Sequence, residues 1–528
     1  MKKATVLLVG IILFSTVSCK KFLATKPQDF SSPEQFYSTE QELNEALAGV
    51  YNALAQDATY GLYLSLFLAH GSDEAFYKST TSTANAMAYD HNTADTYVNN
   101  VWRDLYMGIN RANYLLANIG KPVMDEGARN VIRGEALFLR AYMYFQLVSL
   151  YGDVPLLLNP SVDSRSTDNP RTPASEVYRQ ILSDMTVAKD LVNSYTVTGK
   201  PTHVSKTAIM GVLARVCLTM AGEPLKDTEK YKDARGWADS VIQSGIHQLN
   251  PDYKQVFINE CADLYDTQFN EVLWEIEFYG NNNSTLKMGS RFVNYASTLN
   301  RDNIAGYAYE RIGVTAVLYR MYHVNDLRRD WCIAPYSFRS NNGTEEVPKA
   351  ATDIYSRSCG KWRRKYETAL PRNTDYGPTN FPIIRYADVL LMYAEADNAV
   401  NGGPSARAYE ATNQVRRRGY GKLLPGATNP EEADLAPGLG QEDFLKEMQQ
   451  ERARELAFEA LRKFDLIRWG IFLPVMKAVG ADIQQGAPTN LRYATRGYNN
   501  VSEKHKLLPI PSLEMSLNKA MEQNPLWK

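Results

Sequence analysis

Apolar residues recur at alternating spacings of three and four along most of this 528-residue chain, and the runs come in pairs. That period belongs to helices with one buried stripe, and a succession of them limits the possible folds more than any single residue does. Thr39 and Glu42 form a capping box ahead of Leu43, Leu47, Val50 and Leu54. Val98, Trp102, Leu105, Ile109, Ala112, Leu116 and Ile119 make the next stripe, which Gly120 and Pro122 stop. A third stripe runs through Ile132, Ala136, Leu139, Met143, Leu147 and Leu150 to Gly152. Its only charges are Arg133, Glu135 and Arg140, so that helix is expected to be buried on more than one side. Thr172-Pro173 opens a fourth, with Val177, Ile181, Met185, Ala188 and Val192 on one face. Further helices are expected at 205–221, 229–244, 310–323, 384–400, 405–418 and 442–468. The expected fold is mostly α, a tetratricopeptide-like α-solenoid of helix pairs with irregular loops and minor β structure. No clean 34-residue sequence repeat is present, so the expectation rests on pairing.

Between the helical blocks the texture changes. Glu271 to Phe278 alternates and reads as a strand. Asn281-Asn-Asn-Ser-Thr285, the span 332–382, and the Gly/Pro/acidic stretch from Gly426 to Gly440 read as irregular. Long excursions of this kind in a compact helical protein point to function.

The N-terminus is an export signal. Lys2 and Lys3 precede an apolar region from Ala4 to Phe14, and Ser15, Thr16, Val17 and Ser18 lead into Cys19. As a helix that region spans roughly 16 Å, too short for a bilayer core, so it reads as a cleaved signal. A small residue followed by Cys resembles the lipobox of bacterial lipoproteins, with Thr16 where Leu is usual. In that reading Cys19 is acylated; the alternative is an ordinary secretory signal. The expected organisation is a signal over 1–18, a lipidated N-terminus and tether over 19–38, an N-terminal helical region over 39–260, and a C-terminal region with binding loops over 261–528.

A formal charge of −1 gives no footprint for nucleic acid. P-loop, GxGxxG, HExxH, GxSxG and EF-hand patterns are missing, and the six histidines show no metal-ligand spacing, so neither cofactor nor metal is expected. Asp388, Glu395 and Asp397 share one expected helix; Glu451, Glu455, Glu459 and Asp465 share another, interleaved with arginines and lysines. The second set reads as an ion-paired helix face, Glu459 standing four before Lys463. A catalytic carboxylate pair of glycosidase type is the competing reading.

Several stretches resemble the SusD/RagB family of outer-membrane nutrient-binding lipoproteins. They are Cys19 to Leu23 with Pro27 and Phe36-Tyr37; Trp102 to Tyr106 with Ala112-Asn113; and Arg133 to Arg140 running on to Tyr151-Gly-Asp-Val-Pro155. Arg385 to Leu391, Ala394 to Ala396, Glu451-Arg452, Glu455-Leu456, Arg462, Asp465 to Trp469, Leu508 to Pro511 and Gln523 to Pro525 complete the match. Lys20-Lys21 depart from the acidic residues often found after the Cys in surface-exported relatives. The resemblance implies four helix pairs as a platform with binding loops above. It also implies anchoring to the outer membrane by lipid, facing the cell exterior, and capture of oligosaccharides without chemistry. The implied partner is a SusC-like TonB-dependent β-barrel transporter. Rival readings are a lipid-anchored glycan hydrolase and a helical-repeat scaffold without a small ligand.

The resemblance also directs the choice of site residues. In relatives, aromatic side chains after an Asp-Glu pair and ahead of a mid-chain helix hold the glycan. Asp73-Glu74 matches the pair and Tyr77 follows it, with Phe76 less suited because it lacks a polar tip. Gly306-Tyr307 resembles a Gly-aromatic step, and Tyr295 lies near a second platform. Arg291 and Asp73 are the expected polar partners. The alternative is that these tyrosines pack loop to helix.

Overall fold

The structure, a computed structural model, describes residues 36–80, 86–161, 168–283, 288–429 and 432–528. The expected signal over 1–18, Cys19, the opening motif to Pro27 and Ser284-Thr285 lie outside the described residues.

Helix α1 (Glu40–Leu54) begins with the expected capping box: Glu42 donates its backbone N–H to Thr39 Oγ1 at 3.2 Å, and Glu42 Oε2 accepts from the Thr39 N–H at 3.0 Å. Such a cap contributes about 1 kcal/mol. There follow α2 (Thr96–Asn118), α3 (Glu126–Tyr151), α4 (Ala174–Leu191), α5 (Lys206–Ala221), α6 (Lys230–Gln243) and α7 (Tyr253–Ala262). After a long excursion whose described residues hold only short helices come α8 (Tyr386–Asn401), α9 (Ala406–Gly419), α10 (Gln441–Leu456), α11 (Arg462–Arg468) and α12 (Phe472–Gly486). Four pairs form: α1 with α2, α3 with α4, α5 with α6, and α8 with α9. Neighbouring pairs stack through α2 on α3, α4 on α5, and α6 on α8. The fold is therefore the mostly α helical repeat that the periodicity requires.

Close stacking needs small residues at the crossings. A Cβ on Gly108 of α2 would strike Met143 of α3 and lie 2.7 Å from the Ala53 Cβ of α1. α3 and α8 are buried on several sides, Tyr386 to Asn398 without interruption.

Among the described residues, three small antiparallel ladders complete the architecture. β1 (Ala75–Tyr77) pairs with β3 (Ile312–Val314), β2 (Val272–Ile276) with β6 (Phe381–Arg385), and β4 (Tyr336–Phe338) with β5 (Glu346–Pro348). The β2–β6 ladder leads the chain directly into α8, which joins the fourth pair to the stack. The four cysteines outside the signal region, Cys217, Cys261, Cys332 and Cys359, are buried and unbridged.

Three expectations are corrected. The helix expected over 310–323 shrinks to Ala316–Met321, because Ile312–Val314 is drawn into pairing with β1. The helix expected over 442–468 breaks between Leu456 and Arg462, where Phe458 and Ala460 take φ of 64° and 60°. The charges there pair only in part along their own helices, Glu451 with Arg454 and Asp465 with Arg468. Glu459 pairs with Lys361 and Arg385, at 2.6 and 2.7 Å, rather than with Lys463. Lys463 is buried over the Tyr89 ring, and burial lowers its pKa to about 8. Arg385 also reaches Glu271 and Glu455, Arg418 the same two, and Arg328 Asp326, Glu451 and Glu455. These carboxylates are structural, and most of their partners lie on other elements. Charges buried this deeply persist only when paired in this way.

Candidate ligand-binding surface

The Asp-Glu pair sits beneath the surface it was expected to front. Asp73 is 1% exposed, and its two carboxylate oxygens accept from Arg462 Nε and Nη2, each at 2.8 Å. Glu74 Oε2 accepts from the Phe458 N–H at 3.2 Å. Burial, opposed by Arg462, raises the Glu74 pKa to about 8. The pair thus pins the loop ahead of β1 to the break between α10 and α11, and Asp73 is occupied by that task.

β1 then turns alternate side chains to opposite faces. Phe76 goes inward at 4% exposure, while Tyr77 is half-buried. The Tyr77 ring lies 5.9 Å from Phe67, which stacks on Tyr97 at 4.5 Å and 7° and lies 6.1 Å from Tyr295. Tyr63 meets Tyr97 at 4.6 Å. On the other side, Tyr295 meets Tyr309 at 4.9 Å and Tyr309 meets Tyr307 at 5.2 Å. Tyr77, Tyr295 and Tyr307 thus belong to one strip of half-buried tyrosines, joined through Phe67 and Tyr309 and widened by Tyr63 and Tyr97.

Main-chain bonds hold the strip's segments together. Arg291 N–H donates to Gly61 O at 3.0 Å, Tyr309 N–H to Asn294 O at 2.7 Å, and Lys78 N–H to Arg311 O at 2.9 Å. Gly306 has φ of +100°, and a Cβ there would collide with Arg364. Only glycine makes that turn without strain. Beyond it the Tyr307 carbonyl accepts from Arg364 Nη1 at 2.8 Å, while Arg364 is paired with Glu367 at 2.7 Å. The Gly306-Tyr307 step is therefore a rigid presentation of one ring.

Polar groups edge the rings. Arg291 lies 5.4 Å from the Tyr295 centroid and 5.8 Å from that of Tyr376. Its Nη2 donates to the Tyr295 hydroxyl at 3.1 Å, and its Nη1 is 3.5 Å from Asp57. The Tyr309 hydroxyl donates to Asp375 Oδ1 at 2.8 Å. Burial, then the Tyr77 and Tyr63 phenols, push the Tyr97 pKa up to about 12; burial and then Asp375 do the same for Tyr309. Both phenols stay neutral at ordinary pH and can each donate and accept. Among the described residues no cluster of three or more His, Cys, Asp or Glu could hold a metal ion.

Tyr63, Tyr97, Tyr309, Tyr376, Asp57 and Asp375 were not singled out from the sequence. Tyr307-Ala-Tyr309, two rings at a spacing of two, was one available signal; the chain's 33 tyrosines were another. A separate cavity of about 460 Å³ lies in the helical platform, with Phe145, Tyr178, Leu218, Phe464 and Trp527 among its lining. None of the strip's tyrosines lines it, and its deep charges, Arg452, Asp465 and Arg468, are paired with one another.

A family model described as the SusD family matches residues 336–527, and one described as starch-binding associating with outer membrane matches residues 21–218. Two SusD-like proteins of Formosa agariphila are 27% and 28% identical to this chain. The first alignment covers 98% of this chain and 97% of the relative, the second 99% and 100%. A crystal structure of a SusD homolog from Bacteroides thetaiotaomicron superposes with a TM-score of 0.83 at 29% identity, over 94% of this chain and 98% of that one. A laminarin-binding SusD-like protein shares the fold, with a TM-score of 0.67 at 22% identity, over 93% of this chain and 100% of that one.

Proposed function

This chain belongs to the SusD/RagB family, and on that premise we propose that it captures oligosaccharides at the outer membrane and passes them unaltered to a SusC-like TonB-dependent transporter. The observation that carries this reading is the strip of half-buried tyrosines with polar groups at its ring edges. A ring face covers the apolar C–H face of a sugar, while phenol and guanidinium groups bond its hydroxyls. Tyr77, Tyr295 and Tyr307 serve as platforms, with Tyr309 and Tyr97 extending them. Arg291 supplies polar contacts, and Asp73 acts indirectly by holding the loop that carries Tyr77.

A carrier role, rather than hydrolysis, fits the state of the carboxylates. Asp388, Glu395, Glu451, Glu455 and Glu459 are buried in arginine pairs, and Asp375 is bonded to Tyr309. No helix of the described residues is long and apolar enough to cross a membrane. Attachment is assigned to an acylated Cys19, and the transporter contact to the helical platform.

Calorimetry against a panel of purified glycans, with chromatography of each mixture after incubation, tests the reading. Binding without shortened products is expected. Released fragments would make the protein a hydrolase, and a blank panel would make it a scaffold. Purification from mild detergent is expected to bring a β-barrel transporter with it; a lone monomer across several detergents would refute the delivery step.

A further inference from the structure

We infer that the strip selects glycans bearing negative charge, with Arg291 and Arg311 reading a carboxylate or sulfate ester on the bound chain. This rests on the strip being the glycan site. Tyr295 and Tyr309, 4.9 Å apart, form its middle, and a guanidinium stands at each end of that pair. Arg291 is 5.4 Å from the Tyr295 centroid, and Arg311 is 5.9 Å from that of Tyr309.

The two arginines are held in place but incompletely used. The Arg311 main chain is pinned on both sides, its N–H donating to Tyr295 O at 2.6 Å and its carbonyl accepting from Lys78 at 2.9 Å. Its guanidinium lies near the Tyr309 ring, 5.9 Å from the centroid, and has no ion pair or hydrogen bond among the described residues. Arg291 is partly engaged by the Tyr295 hydroxyl and by Asp57, the latter at 3.5 Å, while its Nε is buried without a partner. Of the neighbouring carboxylates, Glu310 is paired with a cation, while Asp375, bonded to a neutral phenol, keeps its charge. Glu310 is held by Lys78 at 2.9 Å and by the Ser358 hydroxyl at 2.6 Å, and Asp375 by the Tyr309 hydroxyl.

A guanidinium beside a ring carries its N–H groups as a fork in its own plane. That planar fork matches a carboxylate or sulfate two bonds at a time, and partial desolvation by the ring strengthens the attraction. A neutral sugar hydroxyl cannot use such a fork fully. The overall charge of −1 makes the selection local, since the molecule as a whole does not attract anions.

Matched probes isolate the charge. One pair is an oligogalacturonide and its methyl ester; the other is a carrageenan oligosaccharide and its desulfated form. By calorimetry, at least one acidic probe is expected to bind about 10-fold more tightly than its neutral counterpart, with the advantage shrinking at high salt. Which pair responds separates the carboxylate from the sulfate. Arg311→Gln should reduce the advantage to less than about 3-fold with the neutral probe unaffected. Arg291→Gln should also shrink the advantage, but with some loss for the neutral probe, because Arg291 contacts hydroxyls as well and braces Tyr295. Equal affinity within both pairs, or an Arg311→Gln loss shared equally by acidic and neutral members, overturns the inference. In that case neutral glycans that bind and are lost in Tyr307→Ala leave the capture reading standing. Failure of every glycan to bind removes both.

Discussion

Replacing Tyr307 by alanine separates a ligand platform from a packed ring. The side chain is half-buried, its recorded ring neighbour is Tyr309 at 5.2 Å, and the Arg364 bond goes to its main chain, which the substitution leaves intact. A sugar seated on the ring removes roughly 100 Å² of apolar surface from water, counting both partners. At about 25 cal/mol per Å² that is about 2.5 kcal/mol, or about 70-fold in Kd. Exposed platforms bind in roughly the millimolar to micromolar range, so a loss of this size leaves Tyr307→Ala at about 70 μM at the tight end and beyond calorimetric detection at the weak end. The fold should lose under about 1 kcal/mol, which in a chain this long moves the melting temperature by less than about 2 °C. Gly306→Ala provides a second arm, because the ring is retained but displaced by the collision of the new Cβ with Arg364. Binding should fall there too. Unchanged affinity in both variants would place the site elsewhere, and a large drop in the Tyr307→Ala melting temperature would make the ring part of the core.

Arg385→Met leaves Glu271, Glu455 and Glu459 short of a buried cation and should cost about 3–5 kcal/mol in denaturant unfolding; a loss under about 1 kcal/mol would refute the network's role. Burial raises the Glu74 pKa from 4.5 to about 8, so the folded state holds a proton that the unfolded state has released. Its contribution is fully present below pH 4.5 and is lost as pH rises through about 8, so Glu74→Gln should flatten that part of the stability profile. An unchanged profile would show that Glu74 is not the responsible group. Acylation supplies about 0.8 kcal/mol per buried methylene, so Cys19→Ala should fractionate as soluble. Its retention in washed membranes lacking the transporter would refute the lipid anchor.

Much of the platform was legible because helix periodicity is local. The stripes from Leu43 to Val192 each became a helix of nearly the expected extent, since one turn decides which residues share a face. The break after Leu456 was not legible. Phe458 and Ala460 adopt positive φ without glycine because Glu74, hundreds of residues away, accepts the Phe458 N–H and Arg462 turns to Asp73. Nothing in the local sequence encodes that pull.

For the candidate site, residue type and a family resemblance picked out Tyr77, Tyr295, Tyr307 and Arg291, which share one strip in the structure. The same reasoning placed Asp73 among the ligand contacts, where composition alone cannot distinguish a carboxylate facing solvent from one clamped by Arg462. Sequence by itself determined the positions of the first platform helices, the pairing of neighbours and the chemical kinds available in the loops, because those depend on periods and turns within a few residues. Only the tertiary structure decided which rings stand side by side and which charges are spent on one another. Those choices join segments far apart in the chain, and burial makes a buried pair or an exposed face out of residues that read alike.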